Sequence, residues 1–171
     1  MRVSTRVLAC LAISVAFASI QLVPSHAAGP SVREEDGKFF DKEDMPSYNV
    51  KEDGTVDWYT YSGFRRYHSE CHVCHGPDGE GSSYAPALKD SLKNLSYPDF
   101  LQIVAAGRET VSAGQVSKMP ALGDNKSVIC FIDDLYVYLK ARSDEAIPRG
   151  RPPKRADKPE GAIKFEKECL P

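Results

Sequence analysis

The sequence predicts a single all-α domain with an extended N-terminal arm and a long C-terminal tail. Three observations carry this. A chain of 171 residues holds one modest core and leaves little room for a second. Apolar residues recur at helical spacing in three segments, beginning near Asp57, Pro98 and Lys126. Between them lie stretches broken by glycine and proline, without internal repeats and without a pattern that suggests a sheet.

Residues 1–27 read as a signal peptide. "MRVSTR" is a short basic start, "VLACLAISVAFASIQLV" is an apolar run, and "PSHAA" supplies the small residues of a cleavage site after Ala27 or Ala28. The run is about 17 residues, at the short end for a membrane span, and Cys10 is a passenger within it. The whole chain has 22 basic and 24 acidic side chains and a formal charge of −2. Cleavage removes Arg2 and Arg6, which leaves 20 basic against 24 acidic and a charge of −4. Phosphate binding needs concentrated positive charge, so nucleic acid is excluded as a partner. No second apolar run is long enough to cross a membrane, so no stable insertion is expected after cleavage. Cys71, Cys74, Cys130 and Cys169 then enter an oxidising compartment, where unpaired thiols do not persist.

Residues 28–56 are acidic and marked by turn signals at Asp36-Gly37, Met45-Pro46 and Asp53-Gly54. They read as an arm that Phe39, Phe40 and Tyr48 tack to the core. A helix is expected over 57–74, capped by Asp57, with Tyr61, Phe64, Tyr67 and Cys71 on one face. Gly63 weakens it unless close packing requires a glycine. A loop, "GPDGEGSSYAPAL", and an irregular turn over 88–95 lead to a second helix near Pro98, burying Phe100, Leu101, Val104 and Ala105. "ETVSAGQVSKMPALGDN" reads as loop. The last helix covers 126–142, with an apolar stripe of Ile129, Ile132, Leu135, Tyr136 and Leu139. The core domain is thus 57–142. Residues 143–171 form a basic, proline-rich tail expected to run over the surface.

"SECHVCHGPDG" places two cysteines and two histidines within five residues. Zinc needs about four ligands, and Cys71, Cys74 and His75 give three with no second Cys-x-x-Cys pair. A thioredoxin-like switch needs an α/β context that the sequence lacks. Cys-x-x-Cys-His is the attachment pattern of c-type haem, in which two thiols add across the porphyrin vinyl groups and the histidine binds iron. Met119, 44 residues after His75 in a loop between helices, is the candidate sixth ligand. A thioether there raises the potential of an electron-transferring iron. Its bland reading is a core-filling side chain. His68 and His72 are expected to hydrogen-bond or face solvent.

With "GFRRY", "CHVCHGPDGEG", "YAPAL", "KMPAL" and "DDLYVYLKAR", the chain resembles class I cytochrome c. The resemblance implies one covalently attached haem c bound by Cys71, Cys74, His75 and Met119, with the Pro86 carbonyl orienting His75. It also implies that Gly63 and Tyr67 meet the stripe around Leu135, Tyr136 and Leu139. Most of residues 48–158 is similar to the four-cysteine periplasmic cytochromes of bacterial methanol metabolism, related to cytochrome cL. That similarity implies a non-enzymatic one-electron carrier. Its donor would be a pyrroloquinoline-quinone (PQQ)-dependent methanol dehydrogenase, its acceptor a small cytochrome c or a terminal oxidase. The alternatives are a cytochrome subunit of another periplasmic dehydrogenase, or a small haem enzyme or sensor with an open iron position. For Cys130 and Cys169, a disulfide stapling the tail to the core stands beside two separate thiols or intermolecular pairing by Cys169.

Overall fold

The structure is a computed structural model, described here for residues 31–112 and 115–170. The expected signal peptide lies outside the described residues. Helix α1 (Trp58–Glu70) starts where Asp57, in extended conformation, turns its carboxylate onto the first turn. Its Oδ1 accepts from the Thr60 N–H at 2.8 Å, and its Oδ2 from the Thr60 hydroxyl at 2.6 Å and the Asn49 N–H at 2.8 Å. One buried carboxylate therefore fixes both the helix start and the segment arriving from the arm. The helix ends at Glu70, and Cys71 bends into a separate short turn, α2 (His72–His75), where a single helix was expected through Cys74.

After a 3-10 turn (Pro77–Gly79), α3 (Leu88–Ser91) gives the irregular turn one helical winding. Helix α4 (Tyr97–Ala106) is capped by Ser96; of the four residues expected on its inner face it buries Phe100 and Val104, while Leu101 and Ala105 are only half-buried. The last expected helix is two: α5 (Lys126–Ile129) and α6 (Ile132–Ser143), separated by Phe131 at φ −127°, ψ 25°. The break lets Phe131 and Cys130 both turn inward.

Helices α1 and α6 cross, and this is the principal contact between helices. A Cβ at Gly63 would overlap the Asp134 carbonyl oxygen, so the crossing brings backbone to backbone and only glycine fits. The partners of Gly63 are Asp134 and Tyr138, one helical position from the expected stripe. Tyr67 meets Tyr138 with ring centroids 5.5 Å apart. Tyr67, Leu135, Tyr138 and Leu139 are almost wholly buried.

Helices carry this core, and among the described residues no sheet closes, so the fold is all-α. Two small sheets nevertheless correct the expectation of none. In the arm, β1 (Arg33–Glu35), β2 (Lys38–Phe40) and β3 (Pro46–Ser47) form an antiparallel sheet in that order. Asp36 (φ 48°) and Gly37 (φ 74°) make its first turn, because both central residues of such a hairpin need positive φ. Further on, β4 (Arg108–Ser112) pairs with β5 (Gln115–Met119) where a loop was expected.

The tail also departs from a surface strand of chain. It contains helix α7 (Glu160–Cys169), and several of its cations are engaged within the molecule. Arg149 approaches Asp78 and Glu80, Lys154 reaches Asp53, and Arg155 lies over the Trp58 and Tyr61 rings at 5.0 and 5.1 Å. The Val56 carbonyl accepts from the Ala156 N–H at 2.8 Å, so the tail pairs with the chain that leads into α1. Cys130 and Cys169 form a disulfide, Cα–Cα 6.0 Å, which ties the end of α7 to the α5–α6 break. Among the described residues no helix is long and apolar enough to cross a membrane.

Candidate haem site

The break after α1 makes the attachment turn. The His75 N–H still reaches back to the Cys71 carbonyl at 3.0 Å, so Cys71, Cys74 and His75 share one winding of backbone. Cys74 is exposed, Cys71 is partly buried, and the two are not joined to each other. Burial, with the charge of Glu70 second, pushes the Cys71 thiol up to about 12. A thiol in that environment is a poor dithiol switch, which requires a low-pKa thiolate.

Tyr67 pins the turn from inside. Its hydroxyl donates to the Gly76 carbonyl at 2.6 Å, lies 3.2 Å from the His75 carbonyl, and accepts from the Gly79 N–H at 3.0 Å. Gly76 itself sits at φ 71°, where a Cβ would overlap the Gly81 carbonyl. The polypeptide therefore leaves His75 along a single, hydrogen-bonded path.

The His75 ring is buried, and its Nδ1 lies 3.0 Å from the Pro86 carbonyl oxygen. A carbonyl only accepts, so Nδ1 carries the hydrogen, and in the neutral ring Nε2 is the nitrogen that keeps a lone pair. That is the tautomer a metal-ligating histidine needs, with its other nitrogen held in place by an outer acceptor. His68, in contrast, uses Nδ1 on the Phe64 carbonyl (2.9 Å) and turns Nε2 toward Asp78 (3.4 Å). Its ring packs at 5.3 Å from that of His72.

His75, Pro86 and Met119 line one cavity of about 290 Å³. Leu88, Leu95 and Ile103 give it apolar walls, while Ser91, Arg108, Thr110 and Ser117 supply polar groups. An apolar interior with a polar margin, a histidine and a thioether fits haem, which is an apolar macrocycle with carboxylates at one edge. Cys71 and Cys74 stand on the turn leading to His75 and do not line the cavity itself.

Met119 stands at the end of β5 rather than in a loop, opposite Arg108 in the pairing register. Sequence reasoning missed Arg108, Thr110 and Ser117, and also the hydroxyl of Tyr67, which it had assigned only to helix packing. The signal for the first three was in "RETVS" and "QVSKM", two alternating runs with β-branched residues.

No family model matches the chain. Cytochrome c-553I of Paracoccus denitrificans is 52% identical over 136 residues, which is 80% of this chain. The chain spans 60% of the length of that protein. Cytochrome c-555 of Methylococcus capsulatus is 46% identical over 96 residues, covering 56% of this chain and 72% of the relative. The crystal structure of the c-type cytochrome XoxG from Methylobacterium extorquens AM1 superposes with a TM-score of 0.75 at 60% identity. That match covers 82% of this chain and 86% of the other. With helices crossing at Gly63, a Cys-x-x-Cys-His turn, and this degree of identity to cytochromes over most of their length, the chain belongs to the class I c-type cytochromes.

Proposed function

We propose that the protein is a periplasmic one-electron carrier that holds one haem c through Cys71 and Cys74, with His75 and Met119 as the axial ligands. Bound there, the haem supplies a reversible Fe(III)/Fe(II) couple. The chain's own residues set its surroundings. The Pro86 carbonyl fixes the His75 ring, and Tyr67 fixes the backbone on which His75 sits. Leu88, Leu95 and Ile103 line the cavity with apolar side chains, and an apolar surround favours the less charged, reduced state. The observation that carries the reading is the shared cavity of His75 and Met119, with His75 held through Nδ1. No proton-transfer dyad or substrate pocket is required.

The donor in this reading is a PQQ-dependent methanol dehydrogenase, and the acceptor a small cytochrome c or a terminal oxidase. Support comes from the similarity to XoxG and to the two bacterial cytochromes. Residues 1–27 would direct export and be removed, leaving the arm over 28–56, the haem domain over 57–142 and the tail over 143–171. Mixing oxidised holo-protein with a purified methanol dehydrogenase and methanol in a stopped-flow cell should give the reduced haem spectrum only when enzyme and alcohol are both present. Reduction by other quinoprotein dehydrogenases but by no methanol dehydrogenase would overturn the choice of donor.

A further inference from the structure

The β4–β5 hairpin has two unlike faces. Successive residues of a strand point to opposite sides, and the register pairs Arg108 with Met119, Glu109 with Lys118, Thr110 with Ser117 and Val111 with Val116. Arg108, Thr110, Ser117 and Met119 all line the cavity that His75 enters. The alternate set faces out: Val111 and Val116 are 69% and 64% exposed, and Lys118 lies 3.8 Å from Glu109. Met119 thus shares its face of the hairpin with one guanidinium and two hydroxyls.

Arg108 is the one lysine or arginine in that lining, and the lining contains no carboxylate. Among the described residues it has no ion-pair or hydrogen-bond partner from its side chain, whereas Lys118, on the outer face of the same hairpin, has an acidic neighbour. The position of Arg108 is fixed by the residue before it. Gly107 ends α4 at φ 76°, and a Cβ there would crowd the Met119 carbonyl and the backbone of Pro120 and Ala121. The start of β4 is therefore pressed against the end of β5, which holds the backbone of Arg108 beside that of Met119.

We propose that Arg108 is the residue that grips a haem carboxylate, with Thr110 and Ser117 beside it on the inner face of the hairpin. This rests on the haem lying between His75 and Met119. A guanidinium offers a planar fork that matches a carboxylate with two parallel hydrogen bonds. It brings positive charge to the polar margin of a site whose walls are apolar. The same hairpin then anchors the haem twice, through the thioether at one strand end and the cation paired with it across the ladder. Arg108 is a positioning residue, and its charge also tunes the couple.

The test uses holo-protein carrying Arg108→Gln, Arg108→Lys or Lys118→Gln, read by the propionate-bending band in resonance Raman and by equilibration with a redox mediator. Arg108→Gln should move the Raman band and shift the oxidised-to-reduced ratio about three- to tenfold toward oxidised, the size expected for one partly screened charge. Arg108→Lys should restore most of the ratio but not the band, and Lys118→Gln should leave both unchanged. A parental band and ratio in Arg108→Gln, or equal changes in Lys118→Gln, would overturn the proposal. Should Arg108→Gln not accumulate with haem, the double variant Thr110→Val, Ser117→Ala is read by the same band; a shift supports the assignment and an unchanged band overturns it. The near-infrared methionine–iron band of the parent separates the two claims. Its presence without a Raman shift in Arg108→Gln sinks only the carboxylate grip, and its absence sinks the axial assignment.

Discussion

The Tyr67 hydroxyl lies 2.6 Å from the carbonyl oxygen of Gly76, the residue after the axial histidine candidate. It also receives the Gly79 N–H, so one buried oxygen ties both limbs of the turn to α1. Tyr67→Phe removes the oxygen and leaves a buried donor and acceptor unpaired, at a cost of about 1–3 kcal/mol. Chemical denaturation of the holo-protein measures the loss. The midpoint potential should move as well, because the turn positions His75; an unchanged potential would reduce Tyr67 to a packing residue.

Asp134 gives a pH signature. It is buried against the helix crossing, and burial raises its carboxyl to about 7 despite a hydrogen bond from Ser62. The folded state then holds this proton more tightly than the unfolded chain does. Its contribution to stability is complete below the ordinary carboxylate range near 4 and is lost as pH rises through about 7. Asp134→Asn cannot ionise, so the stability of parent relative to variant should fall by roughly 2–4 kcal/mol between pH 4 and 8. Denaturation midpoints across that range check it, and parallel profiles would contradict it.

The staple between Cys130 and Cys169 closes a separation of 39 residues. Restricting an unfolded loop of this length stabilises the fold by about 4 kcal/mol in the chain-entropy account. Replacing both cysteines by serine should lower the thermal midpoint of the holo-protein and make the peptide bonds of 144–168 accessible to protease first. The visible spectrum should not change, since the disulfide joins α7 to the α5–α6 break and lies outside the haem cavity.

At the crossing, Gly63→Ala meets the Asp134 backbone, which cannot move aside by rotating a side chain. The expected cost is about 3 kcal/mol or more, at the upper end for overpacking. Gly54→Ala is a useful reference: Gly54 sits in a turn at φ 80°, so alanine there meets backbone strain alone, with nothing within 4 Å of the added Cβ. A smaller loss at Gly63 than at Gly54 would contradict the close approach of the two helices.

Helices with a continuous apolar face were legible in the sequence, as Phe100 and Val104 of α4 illustrate. Elements held by other means were not. Helix α7 fully buries one hydrophobic residue, Ala162, and is fastened by the disulfide and ion pairs such as Lys158 to Glu166, so periodicity gave little warning. The α5–α6 break interrupts no apolar pattern, because Phe131 stays apolar while leaving helical geometry. Asp36-Gly37 was read as a turn, but its strongest meaning is a hairpin between flanking strands. For the site, Cys-x-x-Cys-His and a distant methionine were visible as chemistry. Arg108 was hidden because its role depends on facing the same side of a ladder as Met119, and pairing register is not written in local composition.

The axial thioether is the centre of the account, and the near-infrared absorption of the oxidised holo-protein tests it most directly. The parent should show the methionine–iron band and, once reduced, bind carbon monoxide poorly; Met119→Leu should lose the band and bind carbon monoxide readily. A parent without the band that takes up carbon monoxide as readily as Met119→Leu would contradict Met119 ligation and the electron-carrier reading built on it.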